Sequence, residues 1–379
     1  MCLEHYLDNS ATTKVSRAAA EKALELMCEN YGNASSLHSL GIKAEAELEN
    51  SRKIIAKALG CESDEIYFTS GGTEANNTAI FGAVKTLKRR GNKIVTSSVE
   101  HSSVLEAMKE LENQGFEVIY LSPDENGVIT ADKIKNAVDN KTILVSIMTA
   151  NNETGSINDV SKIQKIVVNN NSPALIHTDA VQAFGKINIK TKKSGVDLMT
   201  ISAHKIHGPK GIGALYIKKG KRIAPLHFGG EQEKKLRPGT EALPLIGALG
   251  VAVSELEIEK NYEKISALNS YAKSRLSEIQ GVSFNSKDDA LPYIINISVK
   301  GIRSETMLHF LAQNEVYVSS GSACAKGKPS HVLNAMGIDK DTADSSIRIS
   351  FSKFNTEEDV DFLVKYIKQG LETLVKKQY

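Results

Sequence analysis

The chain has 379 residues, of which 41% are hydrophobic and 24% are charged, with a formal net charge of +2. This length suits a large domain plus a smaller one, and the composition is that of a globular protein. The nearly balanced charge gives no indication of a surface for nucleic acid or membranes. The N-terminus lacks a signal-peptide pattern, and no apolar run approaches the roughly 18 residues of a membrane span. We therefore expect a cytoplasmic protein with no direct nucleic-acid or membrane partner.

The four cysteines, Cys2, Cys28, Cys61 and Cys324, are far apart in the chain. They form no C-x-x-C pair, so we expect neither a metal site built within this chain nor a disulfide scaffold. Cys28 and Cys61 have apolar neighbours, which predicts that both are buried.

Short apolar runs alternate with amphipathic helical patterns through the first two-thirds of the chain. Strands are predicted at 65–68, 93–96, 117–120, 143–147, 174–177, 198–201 and 214–217. Helical patterns lie between them, for example at 103–113 and 159–170. This alternation predicts an α/β fold, with a mostly parallel sheet flanked by helices and ligands bound at the carboxyl ends of the strands.

The pattern changes after about residue 256. A long helical stretch leads to predicted strands at 293–299, 316–319 and 347–351, and a final helix is opened by the capping sequence 356–359. We interpret this as a smaller α/β domain. The predicted division is a large domain at 16–257 and a small domain formed by 1–15 and 258–379.

The segment 69–76, Thr-Ser-Gly-Gly-Thr-Glu-Ala-Asn, follows a predicted strand and opens a helix. Gly72 lets the backbone approach a ligand closely, Thr73 adds a hydroxyl, and a helix N-terminus offers unpaired N–H groups. That combination suits a phosphate. Taken alone, an ordinary helix cap is the simpler interpretation.

Lys205 lies in the segment Ser202-Ala203-His204-Lys205, just past another predicted strand. A lysine at a strand's carboxyl end lies where α/β active sites form, and when desolvated it can act as an imine-forming nucleophile. In isolation, a solvated surface lysine is the simpler interpretation. His204 and His207 have no acidic or cysteine partners nearby in sequence, which argues against a metal site.

Asp179 and His101 also follow predicted strands. The aspartate is placed either to pair with a cationic ring nitrogen or to cap the next helix. The histidine is placed either to stack on a flat cofactor and shuttle protons or to serve a structural role.

Cys324 lies in a loop of small residues, with Lys326 and Lys328 close by. This setting predicts an exposed thiol in a positive field, which favours the reactive thiolate. Arg348 interrupts a predicted apolar strand, so it is either satisfied within the core or a bidentate clamp for a carboxylate.

Each of these features is weak or moderate alone. Together, a phosphate turn, an imine-forming lysine, a ring-nitrogen aspartate, a stacking histidine and a carboxylate-binding arginine are the parts of a pyridoxal-phosphate enzyme that acts on amino acids.

The motifs resemble those of the cysteine desulfurases in the class-V aminotransferases, which are fold type I pyridoxal-phosphate enzymes. The likeness runs nearly end to end. It includes the constellations above and the segments 6–13 (YLDNSATT), 32–38 (GNASSLH), 151–155 (NNETG) and 237–241 (RPGTE).

The resemblance implies that Lys205 links covalently to the cofactor and later moves protons. Asp179 would keep the ring nitrogen protonated, Gln182 would bond the phenolic oxygen, and His101 would stack on the ring and assist proton transfer.

The phosphate would be bound near Gly72 by Thr73, Ser202 and His204. The resemblance implies that Thr240 reaches the same phosphate from the other subunit of a homodimer.

Asn152 and Arg348 would hold the carboxylate of the substrate L-cysteine, with Asn33 nearby. Cys324 would take the sulfur as a persulfide while alanine leaves. The sulfur would then pass to an acceptor protein, either an iron–sulfur scaffold or a tRNA-thiolation enzyme.

Rival hypotheses are a selenocysteine lyase, another class-V aminotransferase and a cofactor-binding scaffold without activity. The cysteine loop favours desulfuration over the first two, and the presence of both Lys205 and Cys324 disfavours the third.

Overall fold

The computed structural model describes residues 4–320 and 330–374. The strands are β1 His5–Tyr6, β2 Ile66–Thr69, β3 Lys93–Ser97, β4 Glu117–Leu121, β5 Thr142–Ser146, β6 Leu175–Asp179, β7 Leu198–Ser202, β8 Gly213–Ile217, β9 Val282–Phe284, β10 Ile294–Val299, β11 Val316–Tyr317 and β12 Ser346–Ser350. The helices are α1 Arg17–Cys28, α2 Ser39–Leu59, α3 Gly72–Leu87, α4 Ser102–Asn113, α5 Ala131–Ala137, α6 Ile163–Asn169, α7 Thr191–Ser194, α8 Leu243–Ser254, α9 Ile258–Ser277, α10 Ser304–Gln313, α11 His331–Ala335, α12 Lys340–Asp344 and α13 Glu357–Thr373. None of these helices is both long enough and apolar enough to cross a membrane.

The seven strands predicted in the first two-thirds of the chain form one sheet in the order β2-β8-β7-β6-β5-β3-β4. The run from β7 to β4 is parallel, while β8 pairs antiparallel with both of its neighbours. Since β8 is antiparallel to β2 and to β7, those two strands point the same way. The predicted α/β class with a mostly parallel sheet is therefore confirmed.

Both faces of this sheet are buried. Successive strand residues point to opposite faces. On one face Val95, Val145 and Ile176 join a core cluster under α2 and α8, and on the other face Ile94 and Leu144 pack against α3 and α4. Burial on both faces is the reason that these strands read as continuous apolar runs rather than as alternating patterns.

The C-terminal part contains an antiparallel three-stranded sheet, β12-β10-β9. The N-terminal residues meet it: β1 pairs parallel with β11, and Asp8 bridges to Ser350. The predicted final helix begins at a capping box formed by Thr356 and Asp359. The domain boundaries at residues 16 and 257 stay a prediction.

Cys28 is exposed, so the prediction that it is buried is wrong. It follows Leu26, which is buried, by two positions, and residues two apart do not share a helix face. Cys61 is half-buried and lies just past the end of α2, where burial raises the pKa of its thiol to about 12.

Candidate active site

The carboxyl ends of the parallel strands bring the predicted residues to one edge of the sheet. Lys205 ends a short 3-10 turn after β7, Asp179 is the last residue of β6, and His101 follows β3. β2 points in the same direction, so Gly72 and Thr73 at the start of α3 reach this edge as well.

Lys205 is half-buried and turned toward the N-terminal segment. Its Nζ donates to the carbonyl of Ala11 at 2.8 Å and also to the carbonyl of Ser10. These backbone acceptors hold the amine at the sheet edge. They fix where Nζ lies.

Asp179 is buried, with 5% of its surface exposed. Its Oδ2 accepts from Asn76 Nδ2 at 2.7 Å, and its Oδ1 accepts from the N–H of Val181 at 2.9 Å. The second contact, to a backbone N–H two residues on, closes a turn; no helix begins there in the described residues, so the alternative role as a helix cap is not what the structure shows. The carboxylate therefore both closes a local turn and faces a buried partner.

His101 is the N-cap of α4, and its Nδ1 accepts from the N–H of Ser103 at 3.1 Å. An imidazole nitrogen that accepts carries no proton, so in the neutral ring the proton lies on Nε2. Burial lowers the pKa of His101, which favours that neutral form. Asn76 also donates to Ser103 Oγ at 2.9 Å and so connects the His101 cap to Asp179.

The turn before α3 is open on its ligand side. Gly71 adopts φ 153, and a Cβ placed on it would meet nothing within 4 Å. A Cβ on Gly72 would lie 3.1 Å from Val181 Cγ2 and 3.7 Å from Ser202 Cβ, so the helix start packs closely against the strand ends. Among the described residues, no side chain accepts from the N-terminal N–H groups of α3 as a cap.

Two further predicted phosphate ligands are nearby: Ser202 lies beside this turn, and His204 immediately precedes Lys205. Ser202 is buried, and its Oγ has no hydrogen-bond partner among the described residues. His204 Nδ1 lies 3.3 Å from Thr12 Oγ1, and burial together with the charge of Lys205 lowers its pKa to about 4. His204 is therefore neutral near pH 7. Thr73 is exposed at the mouth of the turn.

Arg348 lies on β12 with 2% of its surface exposed. Its Nη2 pairs with Asp8 Oδ1 at 2.8 Å, and its Nη1 donates to the carbonyl of Asn152 at 2.9 Å. The buried Nε has no partner within the described ranges. The guanidinium thus connects β12 to the N-terminal segment and to the loop after β5. Its Nε–H is the donor that these contacts leave unused.

Gln182 is buried, and its Nε2 donates to the Ser10 carbonyl at 3.0 Å. Asn33 is exposed, and its Oδ1 accepts from the N–H of Ser35 at 2.9 Å in a local turn. Thr240 is exposed in a loop that the Arg237–Glu74 pair, 3.0 Å, attaches to the first turn of α3. Cys324 lies outside the described residues.

The described residues on either side of 321–329 are attached to the site. Ser319 exchanges backbone hydrogen bonds with Arg348. Ser330 caps α11 and donates to Glu153 Oε2 at 2.5 Å, and His331 Nε2 lies 3.1 Å from the carbonyl of Glu100. Both ends of the segment that carries Cys324 are therefore held beside predicted site residues.

A family model for class-V aminotransferases matches residues 5–363. The chain belongs to the class-V aminotransferase family. It is 42% identical to a cysteine desulfurase IscS of Methanosarcina thermophila over 97% of this chain and 92% of that protein. Among solved structures, a NifS-like protein has a TM-score of 0.93 at 39% identity, covering 98% of this chain and 100% of that one. A structure of SspA in complex with cysteine has a TM-score of 0.83 at 34% identity, covering 93% and 100% of the two chains.

Sequence reasoning missed three contributors to the site of this family member. Asp8 binds Arg348, Asn76 binds Asp179, and the Ser10 carbonyl accepts from both Lys205 and Gln182. Asp8 lies in the segment 6–13 and Asn76 in the segment 69–76, so a polar side chain within a motif was the signal that could have identified them. A backbone carbonyl leaves no signal in residue identity.

Proposed function

We propose that the chain is a cysteine desulfurase that uses pyridoxal phosphate and delivers sulfur to Cys324. The predicted enzyme class is confirmed by the family and by the similarity to cysteine desulfurases over nearly the whole chain. The observation that carries the residue assignment is the placement of Lys205 and Asp179 at the carboxyl ends of the adjacent parallel strands β7 and β6.

The residues at the sheet edge fit the cofactor. The uncapped N-terminus of α3, the open face of Gly71 and the unpartnered Ser202 Oγ offer donors for a phosphate. When bound, the cofactor supplies an electron sink for the negative charge left on the substrate Cα after proton loss. We assign the phosphate to Gly72, Thr73, Ser202 and His204.

The remaining residues divide the work as follows. Lys205 attaches the cofactor through Nζ and afterwards moves the substrate Cα proton. Asp179 keeps the ring nitrogen protonated, because a buried carboxylate favours a cation beside it. His101 stacks on the ring, and its Nε2–H is free of the capping role that Nδ1 fulfils. Gln182 directs a side-chain N–H at the phenolic oxygen.

We assign the substrate carboxylate to Arg348 and Asn152, with Asn33 nearby. Arg348 pairs with Asp8 through Nη2, and its Nε has no protein partner within the described residues. The Cys324 thiolate would take the sulfur of L-cysteine as a persulfide, leaving alanine, and pass it to an acceptor protein for iron–sulfur assembly or tRNA thiolation.

We also propose a homodimer that works in the cytoplasm. Large apolar side chains are exposed around α1 and the start of α2, and a further one lies before the Thr240 loop. They are Leu24, Met27, Tyr31, Leu37, Ile42 and Phe228, with Leu37 96% exposed. Exposed apolar clusters of this kind mark association surfaces. In that homodimer we assign Thr240 to the phosphate site of the neighbouring subunit.

The test of the assignment is covalent attachment. The purified protein should absorb as a protonated lysine imine, and borohydride reduction followed by peptide mapping should locate the cofactor on Lys205. Lys205→Ala should lose the attachment and the activity. Finding the cofactor on another lysine would overturn the assignment.

The role of Cys324 needs a separate variant. Cys324→Ser should still bind the cofactor and still change its absorption when cysteine is added, because the thiol acts after the first steps. Alanine and sulfide should form at a small fraction of the wild-type rate. Alanine formation at the wild-type rate would place the sulfur acceptor elsewhere.

A further inference from the structure

Lys186 is a buried lysine to which the proposed function gives no role. It is 5% exposed, and its Nζ donates to Gln182 Oε1 at 2.8 Å. Its Nζ also lies 5.7 Å from the centre of the Tyr293 ring. Burial lowers the pKa of this amine to about 7. Burying an ammonium group is costly, so its retention beside a cofactor ligand calls for an explanation.

The backbone is shaped to place this lysine inside. Gly185 has φ +77, and a Cβ there would lie 2.7 Å from Ile206 Cγ2, the residue after Lys205. Only glycine satisfies both the left-handed conformation and the close approach. The turn that carries Lys186 therefore packs directly against the segment that carries the catalytic lysine.

The two neighbours of the Gln182 amide dictate its orientation. A backbone carbonyl only accepts at any pH, and the protonated form of Lys186 only donates. Oε1 must therefore face Lys186, and Nε2 must face the Ser10 carbonyl, 3.0 Å away. The second hydrogen of Nε2 remains for the cofactor. The Ser10 carbonyl also accepts from Lys205, so these four residues form one chain of hydrogen bonds.

We propose that Lys186 is a positioning residue that locks Gln182 as a hydrogen-bond donor toward the ring oxygen of the cofactor. The proposal rests on the cofactor assignment above. Without Lys186 only the Ser10 carbonyl holds the amide, so it turns more readily, and a turned amide would direct its oxygen at the ring oxygen, replacing an attraction with a repulsion. A hydrogen bond donated by Gln182 would stabilise the negative charge on the ring oxygen. It would thereby lower the pKa of the Lys205 nitrogen that is attached to the cofactor beside that oxygen.

Charged and titratable groups face Lys186 from several elements. The charges of Lys205 and Arg348 act on it directly. His207, Glu255 and Lys353 line the same cavity, together with Tyr293. A control must therefore separate the bond to Gln182 from the total charge of the cavity.

The experiment is a pH titration of the cofactor absorption of the holoenzyme, alongside the Kd of pyridoxal phosphate for the apoprotein. Lys186→Met should raise the titration midpoint by about one pH unit and weaken cofactor binding about tenfold, the scale of one charge-assisted hydrogen bond. Lys353→Met removes a cavity charge without a bond to Gln182, and its midpoint should stay at the wild-type value. Should Lys186→Met fail to fold, Lys186→Gln decides the question with the same measurements.

A double variant tests whether Lys186 acts through Gln182. Adding Lys186→Met to Gln182→Met should change the midpoint little beyond Gln182→Met alone, because coupled residues are not additive. Additive shifts, or a wild-type midpoint in Lys186→Met, would overturn the proposal. If the wild-type apoprotein binds no pyridoxal phosphate at all, the proposed function fails instead, so the two failures are distinguishable.

Discussion

Charged side chains are buried both where the strands of the seven-stranded sheet begin, its amino edge, and where the parallel strands end, its carboxyl edge. The two edges differ in whether the buried polar atoms have protein partners. At the amino edge, Asp197 precedes β7, accepts from the N–H of Ile176 at 3.1 Å and pairs with Lys221 at 3.3 Å. Arg52 lies near the start of β2, where it donates to the Ile66 carbonyl at 2.7 Å and pairs with Glu233. Each of these charged groups is therefore hydrogen-bonded to strand backbone and paired with an opposite charge.

At the carboxyl edge, several buried polar atoms find no partner within the described residues. Ser202 Oγ and Asn76 Oδ1 are such atoms, and so is the Nε of Arg348, which reaches this edge from β12. Burying an unpaired polar group costs free energy in the folded protein, and a bound ligand can recover it. From this comparison we expect that the amino edge serves stability and the carboxyl edge serves binding.

The largest expected effect comes from the two buried aspartates. Asp179→Ala should lower kcat roughly 100-fold or more while weakening cofactor binding much less, because it removes the partner of the ring nitrogen and leaves the phosphate ligands in place. Asp197→Ala, at the opposite edge, should lower the melting temperature and leave kcat near the wild-type value. Steady-state kinetics and thermal melts check both. Equal losses of kcat would break the comparison.

The two buried arginines give the next effect. Arg348→Lys should raise the KM for cysteine about tenfold, because an ammonium group cannot replace a planar fork across a carboxylate. Arg52→Lys should lower the melting temperature with an unchanged KM, since Arg52 makes two parallel bonds to Glu233, at 2.9 and 2.8 Å. An unchanged KM in Arg348→Lys would return that residue to a purely structural role.

The smallest effect concerns Glu100, buried just before His101. Burial raises the pKa of its carboxyl to about 8, although Ser97 Oγ and the N–H of Met148 donate to Oε1. Between the unfolded value near 4.5 and about 8, the folded state holds a proton that the unfolded state has lost. The contribution of this group to stability therefore falls as pH rises through that window.

Glu100→Gln removes this dependence because an amide does not titrate there. We expect the free energy of unfolding of the variant minus that of the wild type, both measured by urea denaturation, to increase steadily from pH 5 to pH 8. A gap that stays constant over this range would show that Glu100 is ionised in the folded protein.

The strand pattern, the α/β class and the family could be predicted from the sequence. Apolar runs of strand length carry their own signal, and Lys205, Asp179 and His101 stand where such runs end. Their roles in catalysis stay predictions, as do those of Cys324 and Thr240. The burial of Cys28 was predicted wrongly, because apolar neighbours in sequence do not say which helix face a residue occupies.

Only the tertiary structure decided which groups meet across the chain. Asp8 lies 340 residues from Arg348, and the Ser10 carbonyl receives Gln182 from 172 residues away. Such contacts depend on the N-terminal segment meeting both β12 and the residues that follow β6 and β7, and a backbone acceptor looks the same at every position of a sequence. The orientation of the Gln182 amide is of this kind, because it depends on the Ser10 carbonyl, which only accepts, and on the Lys186 amine, which donates to Oε1.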